Sequence, residues 1–164
     1  MNAKVIWKGG LKLDGTADTG FHVPISAAVA VGGDGQGFKP MELIATGLAA
    51  CTALDVISIL QKMHQDVTGY EVQVHARRSP EHPKVFTHAV IEYLITGRGL
   101  DEEAVVRSIE LSAIRYCPAQ AMFRGVFPIE LKYHIYEAVE GGELGAPGAP
   151  KLVKSGEYFP VTGN

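Results

Sequence analysis

Apolar and polar positions alternate along residues 67–78, where Val72 and Val74 stand apart from Glu71, Gln73 and His75. This is the period-two pattern of a strand with one buried face. Residues 84–95 form a second such run. The connecting Ser79-Pro80-Glu81-His82-Pro83 predicts an antiparallel pair. Upstream, residues 3–13 alternate weakly around Gly9-Gly10, which predicts one strand with a bulge or bend, and Asp14-Gly15 predicts a turn. Two short β-like runs follow near 20–25 and 27–31, then a glycine-rich stretch, 32–37, expected to be a flexible loop.

Residues 40–64 carry the clearest helical signal, with Pro40 at the start and Glu42 in the first turn, as the helix dipole favours. The run is apolar nearly all round to Leu60 and polar beyond it, so its first part is expected to be buried on most sides. A second helix is predicted from Asp101, a good N-cap, to about Tyr116. Cys117-Pro118 breaks it and begins a short helical turn over 119–123, and residues 128–136 read as a last strand. Residues 139–150 are rich in Gly and Pro and suggest a linker. The tail 151–164 holds Tyr158 and Phe159, which suggest that it docks. The predicted organisation is one α+β domain over 1–138, in the order β-β-β-α-β-β-α-α-β around a buried helix, with 139–164 as linker and tail.

A chain of 164 residues suffices to bury a core without disulfides or a structural metal. A net charge of −3 argues against nucleic acid as a partner, since phosphate binding needs a basic stripe. The apolar run 41–60 raises the question of a membrane span. Asp55 well inside it would cost at least a few kcal/mol in lipid, so a buried helix and no membrane association are expected. No apolar segment follows the basic residue at the N-terminus, so a secretory signal is not expected and the cytoplasm is the default location. There, Cys51 and Cys117 would be reduced rather than joined in a structural disulfide.

Most chemistry-bearing motifs fail. Gly32-x4-Gly37 starts like a phosphate loop, but Phe38, Lys39 and Pro40 follow where Lys and a hydroxyl residue belong. The six histidines show no paired metal-ligand spacing, and no Gly-x-Ser-x-Gly is present. No cofactor or metal is called for.

The cysteines remain. Cys51 sits mid-helix after the small residues 45–50, sharing its face with Ile44, Leu48, Leu54 and Asp55. A buried apolar setting raises a thiol's pKa, and Asp55 would raise it further, so activation would require a donor or cation from elsewhere. Cys117 lies at a helix start, where the dipole and free N–H groups favour thiolate, with Arg115 and Arg124 close in sequence. The residues alone leave a second reading open, in which both are inert core cysteines.

Lys39-Pro40-Met41-Glu42-Leu43-Ile44-Ala45-Thr46-Gly47-Leu48-Ala49-Ala50-Cys51 resembles the Pro-Glu-x-Leu…Ala-Ala-Cys helix of the OsmC/Ohr family. Tyr116-Cys117-Pro118 resembles that family's second-cysteine motif. The strings from Cys51 to Val56 and from Cys117 to Ala121 look most like its YhfA-type branch. The resemblance implies an intertwined homodimer with sites at the subunit interface and a thiol peroxidase acting on organic hydroperoxides or hydrogen peroxide. Cys51 would be the peroxidatic cysteine and Cys117 the resolving one. A dithiol reductant of lipoyl or thioredoxin type would then reduce their disulfide. Glu42, Asp55 and Arg115 are candidate supporting residues. The sequence departs from the pattern at Met41, where organic hydroperoxide resistance proteins carry Glu. Glu42 points about 180° away from Cys51 on a regular helix. No arginine precedes Arg77, whereas the family's activating arginine lies in the N-terminal strands. These departures motivate the alternative of a non-catalytic dimeric protein that binds a small molecule in the same crevice.

Overall fold

The computed structural model describes residues 1–139 and 151–158. The chain divides into two compact units, Met1–Thr46 and Gly47–Asn164.

The first unit is an antiparallel meander of β1 (Ala3–Trp7), β2 (Lys12–Ala17) and β3 (His22–Ser26). The single bulged strand expected over 3–13 is instead a hairpin, with Trp7 opposite Leu13. The physical reason is local. Gly9 and Gly10 both take positive φ, 101° and 54°, and reverse the chain where one such residue would only have bent it. Asp14-Gly15, expected to turn, lies inside β2. There a Cβ on Gly15 would sit 3.0 Å from Ile25 Cδ1, so the glycine makes room for a cross-strand neighbour. The β-like run near 27–31 is a single 3₁₀ turn, Val29–Val31, closed by Gly32 at φ 93°. The glycine-rich stretch is tied down by Asp34, which accepts from Ser26 Oγ at 2.8 Å and pairs with Lys12 Nζ at 2.6 Å. Those partners hold its carboxyl far below the usual carboxylate range.

Helix α1 (Pro40–Lys62) starts in the first unit and runs into the second. It ends where His64 turns to φ 56°. The second unit adds β4 (Asp66–Arg78) and β5 (Phe86–Arg98), antiparallel as expected. Next come α2 (Glu102–Leu111), one turn of π-helix (Ser112–Tyr116) and α3 (Pro118–Arg124). The segment between β5 and β6 (Ile129–Glu137) crosses over to make those two strands parallel. The tail contributes β7 (Lys151–Tyr158), antiparallel to β6, giving a sheet ordered β4-β5-β6-β7. Gly156 lets β7 lie over Tyr133, whose hydroxyl would be 2.4 Å from a Cβ there.

Strict alternation on the two central strands builds the core of this unit. Ala89, Ile91, Tyr93 and Ile95 on β5 and Ile129, Leu131, Tyr133 and Ile135 on β6 meet Val56 and Leu60 of α1 and Val105 and Ile109 of α2. The expectation that the first part of α1 is buried on most sides needs correction. The chain buries one stripe of it, Leu48, Thr52, Val56 and Leu60, spaced four residues apart, while Leu54 remains 70% exposed. One sheet face covers only one side of a helix, however apolar the others are. The helix is long and apolar enough to cross a membrane by length and composition alone, yet this stripe belongs to the unit's core.

Candidate functional site

Both cysteines lie in the second unit, and both are free. Cys51 directly precedes Thr52 of the buried stripe and is itself partly exposed. Cys117 is only 2% exposed. Its position follows from the two elements around it. The π-turn ends in an extended residue, Cys117 at φ −75° and ψ 104°, and Pro118 at the first helical position begins α3. The Cys117 N–H donates to Ser112 O at 2.9 Å, and the Gln120 N–H donates to Cys117 Sγ at 3.4 Å. Cys117 is thus an N-cap, as its sequence position suggests.

The thiolate character expected there is absent. Burial pushes the Cys117 thiol up to about 12 against the opposing pull of the Gln120 N–H. Nearby Cys51 and Asp55 push it further. Desolvation outweighs the one N–H of a seven-residue helix. The two cysteine-bearing segments adjoin although 66 residues separate the cysteines: Thr52, next to Cys51, is hydrogen-bonded to Ser112 and Gln120, which both bond Cys117.

Beside the pair lies a buried polar network that the sequence reading did not single out. Thr52 Oγ1 is 2.6 Å from Tyr93 Oη and 2.9 Å from Ser112 Oγ, and it accepts from Gln120 Nε2 at 2.9 Å. Ser112 Oγ donates to Asp55 Oδ2 at 3.1 Å. Thr52, Tyr93 and Ser112 have no exposed surface and Gln120 has 2%. Tyr70 Oη, also buried, has no hydrogen-bond partner. Burial raises both tyrosines beyond the usual phenol range, with Asp55 adding to each. The available signal was a set of polar residues, Thr52, Ser112 and Gln120, at buried positions of otherwise apolar helices.

The remaining sequence candidates divide. Asp55 joins the network. Glu42 does not: its carboxylate binds the Lys39 ammonium and accepts from the Lys39 backbone N–H at 2.9 Å, which closes the start of α1 and holds its pKa below the usual range. Arg115 is exposed and stacks on its neighbour Tyr116, 5.7 Å from the ring centroid. Arg124 exerts its charge on Tyr158. Neither arginine is among the leading influences on Cys117, so the cationic help expected from them is not found there. Among the described residues no group of three or more His, Cys, Asp or Glu is gathered as a metal site requires.

The Cys117 environment has a direct consequence for labelling. With iodoacetamide, its modification is expected to be at least tenfold slower than that of Cys51 at pH 7.5. It should keep rising with pH to at least 10.5, because the protonated form persists toward 12. An ordinary thiol levels off above about 8.5. Mass spectrometry of the two peptides across the pH range checks this, and a Cys117 plateau below pH 9.5 would contradict it.

Known proteins resemble the chain in sequence and in fold. The family model for OsmC-like protein matches residues 33–132. Protein YhfA of Escherichia coli (strain K12) is 36% identical over 138 residues, covering 84% of this chain and 100% of that protein. The OsmC-like protein of Mycoplasma pneumoniae superposes with a TM-score of 0.68 at 16% identity, over 84% of this chain and 96% of that one. The organic hydroperoxide resistance protein OhrB of Bacillus subtilis does so with a TM-score of 0.55 at 24% identity, over 81% and 98%. At those identities the two structures establish the fold alone. On the family match and the full-length similarity to YhfA, the chain belongs to the OsmC-like protein family.

Proposed function

We propose that the protein is a cysteine-based thiol peroxidase of oxidative-stress defence, reducing organic hydroperoxides or hydrogen peroxide. The observation that supports this reading is the nearness of Cys51 to Cys117, one partly exposed and one buried, in a family that includes organic hydroperoxide resistance proteins. The thiolate of Cys51 attacks the outer peroxide oxygen, forming Cys51 sulfenic acid and releasing the alcohol, or water from hydrogen peroxide. The Cys117 thiol then displaces the sulfenic hydroxyl. A sulfur–sulfur bond forms, and the thiol proton leaves with the hydroxyl as water. A dithiol of lipoyl or thioredoxin type returns both cysteines to thiols. Exposure favours this order of events: peroxide reaches Cys51 more readily than a side chain that is 2% exposed. A cavity of about 330 Å³ opens at Asp55, walled by Ile59, Met63, Leu111 and Tyr116 together with the polar Ser58 and Lys62.

The working unit in this reading is a cytoplasmic homodimer. The first unit leaves Val5, Trp7 and Phe21 exposed at 60%, 70% and 83%, and α1 leaves Leu54 exposed, surfaces that a second copy would cover. Light scattering at low micromolar concentration should give twice the chain's 17.6 kDa, and a monomeric mass would contradict the dimer.

The test of function is peroxide turnover with a dithiol reductant, comparing the wild type with Cys51→Ser. Turnover is expected to fall at least roughly a hundredfold, because a serine hydroxyl is a poor nucleophile at neutral pH. Equal rates would sink the assignment. The engagement of Glu42 by Lys39 and of Arg115 by Tyr116 favours a second reading, a binding protein without turnover. A ligand retained in native mass spectrometry, with no peroxide consumed, would select it.

A further inference from the structure

The buried network touches both cysteine-bearing segments, and its hydrogen atoms can be counted. Ser112 spends its hydroxyl proton on Asp55, so its oxygen accepts from Thr52. Thr52 therefore donates to Ser112 and accepts from Tyr93 O–H and from the Gln120 amide. Its one proton and both lone pairs are used, and only one orientation of the network satisfies every group. Ser112 and Gln120 also bond Cys117, through Ser112 O to its backbone N–H and through the Gln120 N–H to its sulfur. Cys117 is thus gripped on both sides by residues whose side chains converge on Thr52, and Thr52 is the immediate neighbour of Cys51.

We propose that Thr52, acting through Ser112 and Gln120, is the positioning residue of the cysteine pair, holding Cys117 in line with Cys51 for disulfide closure. This rests on the reading of the pair as one that closes a disulfide. It does not rest on peroxide as the oxidant. Closure requires the sulfurs to approach to about 2 Å along one line. Misplacement of reacting groups by about 1 Å costs on the order of a hundredfold in rate. A brace of fully hydrogen-bonded hydroxyl and amide groups, anchored on the Asp55 carboxylate, fixes that line.

The experiment separates the two steps. Hydrogen peroxide oxidises Cys51 and Cys117 then closes the disulfide. In a parallel arm, oxidised glutathione forms a mixed disulfide at Cys51, releasing one glutathione. Cys117 attacks the Cys51 sulfur, releasing the second glutathione and forming the same internal disulfide. Stopped-flow and quenched mass spectrometry follow each step in wild type, Thr52→Val, Thr52→Ser and Ser112→Ala. Thr52→Val is expected to leave the first step within about twofold and to slow closure at least tenfold. Ser112→Ala should slow closure in the same direction, and it carries the test if Thr52→Val does not fold. Thr52→Ser, which keeps the hydroxyl, should restore closure to within about threefold of wild type. Val105→Ala, a core truncation outside the network, should lower the melting temperature while leaving closure within about twofold. The proposal is overturned if Thr52→Val closes at the wild-type rate, if Val105→Ala slows closure equally, or if the wild type forms no internal disulfide in either arm. Closure with glutathione but no reaction with peroxide would refute the peroxidase reading and leave the positioning role standing.

Discussion

Treated with one equivalent of peroxide, the Cys117→Ser protein is expected to stop at sulfenic acid on Cys51, while Cys51→Ser should show little oxidation anywhere. Two observations point the same way. Cys117 is 2% exposed, and its thiol is held protonated toward pH 12 by burial, by Cys51 and by Asp55. A buried protonated sulfur is a poor first nucleophile; as the resolving group it attacks a sulfenic sulfur already held beside it, and its proton leaves with the hydroxyl as water. Dimedone trapping followed by peptide mass spectrometry reads out both variants. Sulfenate accumulating at Cys117 in the Cys51→Ser protein at the wild-type rate would reverse the roles.

The largest expected effect on stability comes from the α1 stripe. Leu60 is fully buried among the core side chains of the second unit, and Leu60→Ala removes three carbons from a site closed by a helix and a sheet. Such truncations cost about 2–5 kcal/mol. For a chain of this length, a loss of about 3 kcal/mol lowers the melting temperature by roughly 6–12 °C. Thermal unfolding monitored by circular dichroism checks this. A shift under 2 °C would mean that α1 is not anchored along this stripe.

How much of this was legible in the sequence depended on the range of the interaction. The antiparallel pair β4–β5, the Asp101 cap, which accepts from Glu103 N, and the Cys117-Pro118 start of α3 are set by neighbours in the chain, and the residues announce them. The same local reading failed at Gly9-Gly10, where two consecutive positive φ angles made a hairpin from what reads as one strand. It also overstated the burial of α1, because an apolar circumference does not say how many sides the chain itself will cover. The site divides similarly. The two cysteines stand out by motif, but the thiolate preference inferred for Cys117 considered only the helix end and missed the desolvation that overrides it. The polar residues of the network are visible in the sequence, but their convergence is not. Thr52 lies 60 residues from Ser112 and 68 from Gln120, and only packing against β5 brings them to one point.

The central claim, that peroxide is reduced at Cys51 and the oxidation is passed to Cys117, is tested most directly by titrating the fully reduced protein with peroxide and mapping its peptides. One equivalent of peroxide should be consumed per chain, with loss of both free thiols together and a single Cys51–Cys117 linked peptide that a dithiol returns to the starting state. Peroxide left unconsumed, or oxidation confined to methionines while both thiols persist, would contradict it.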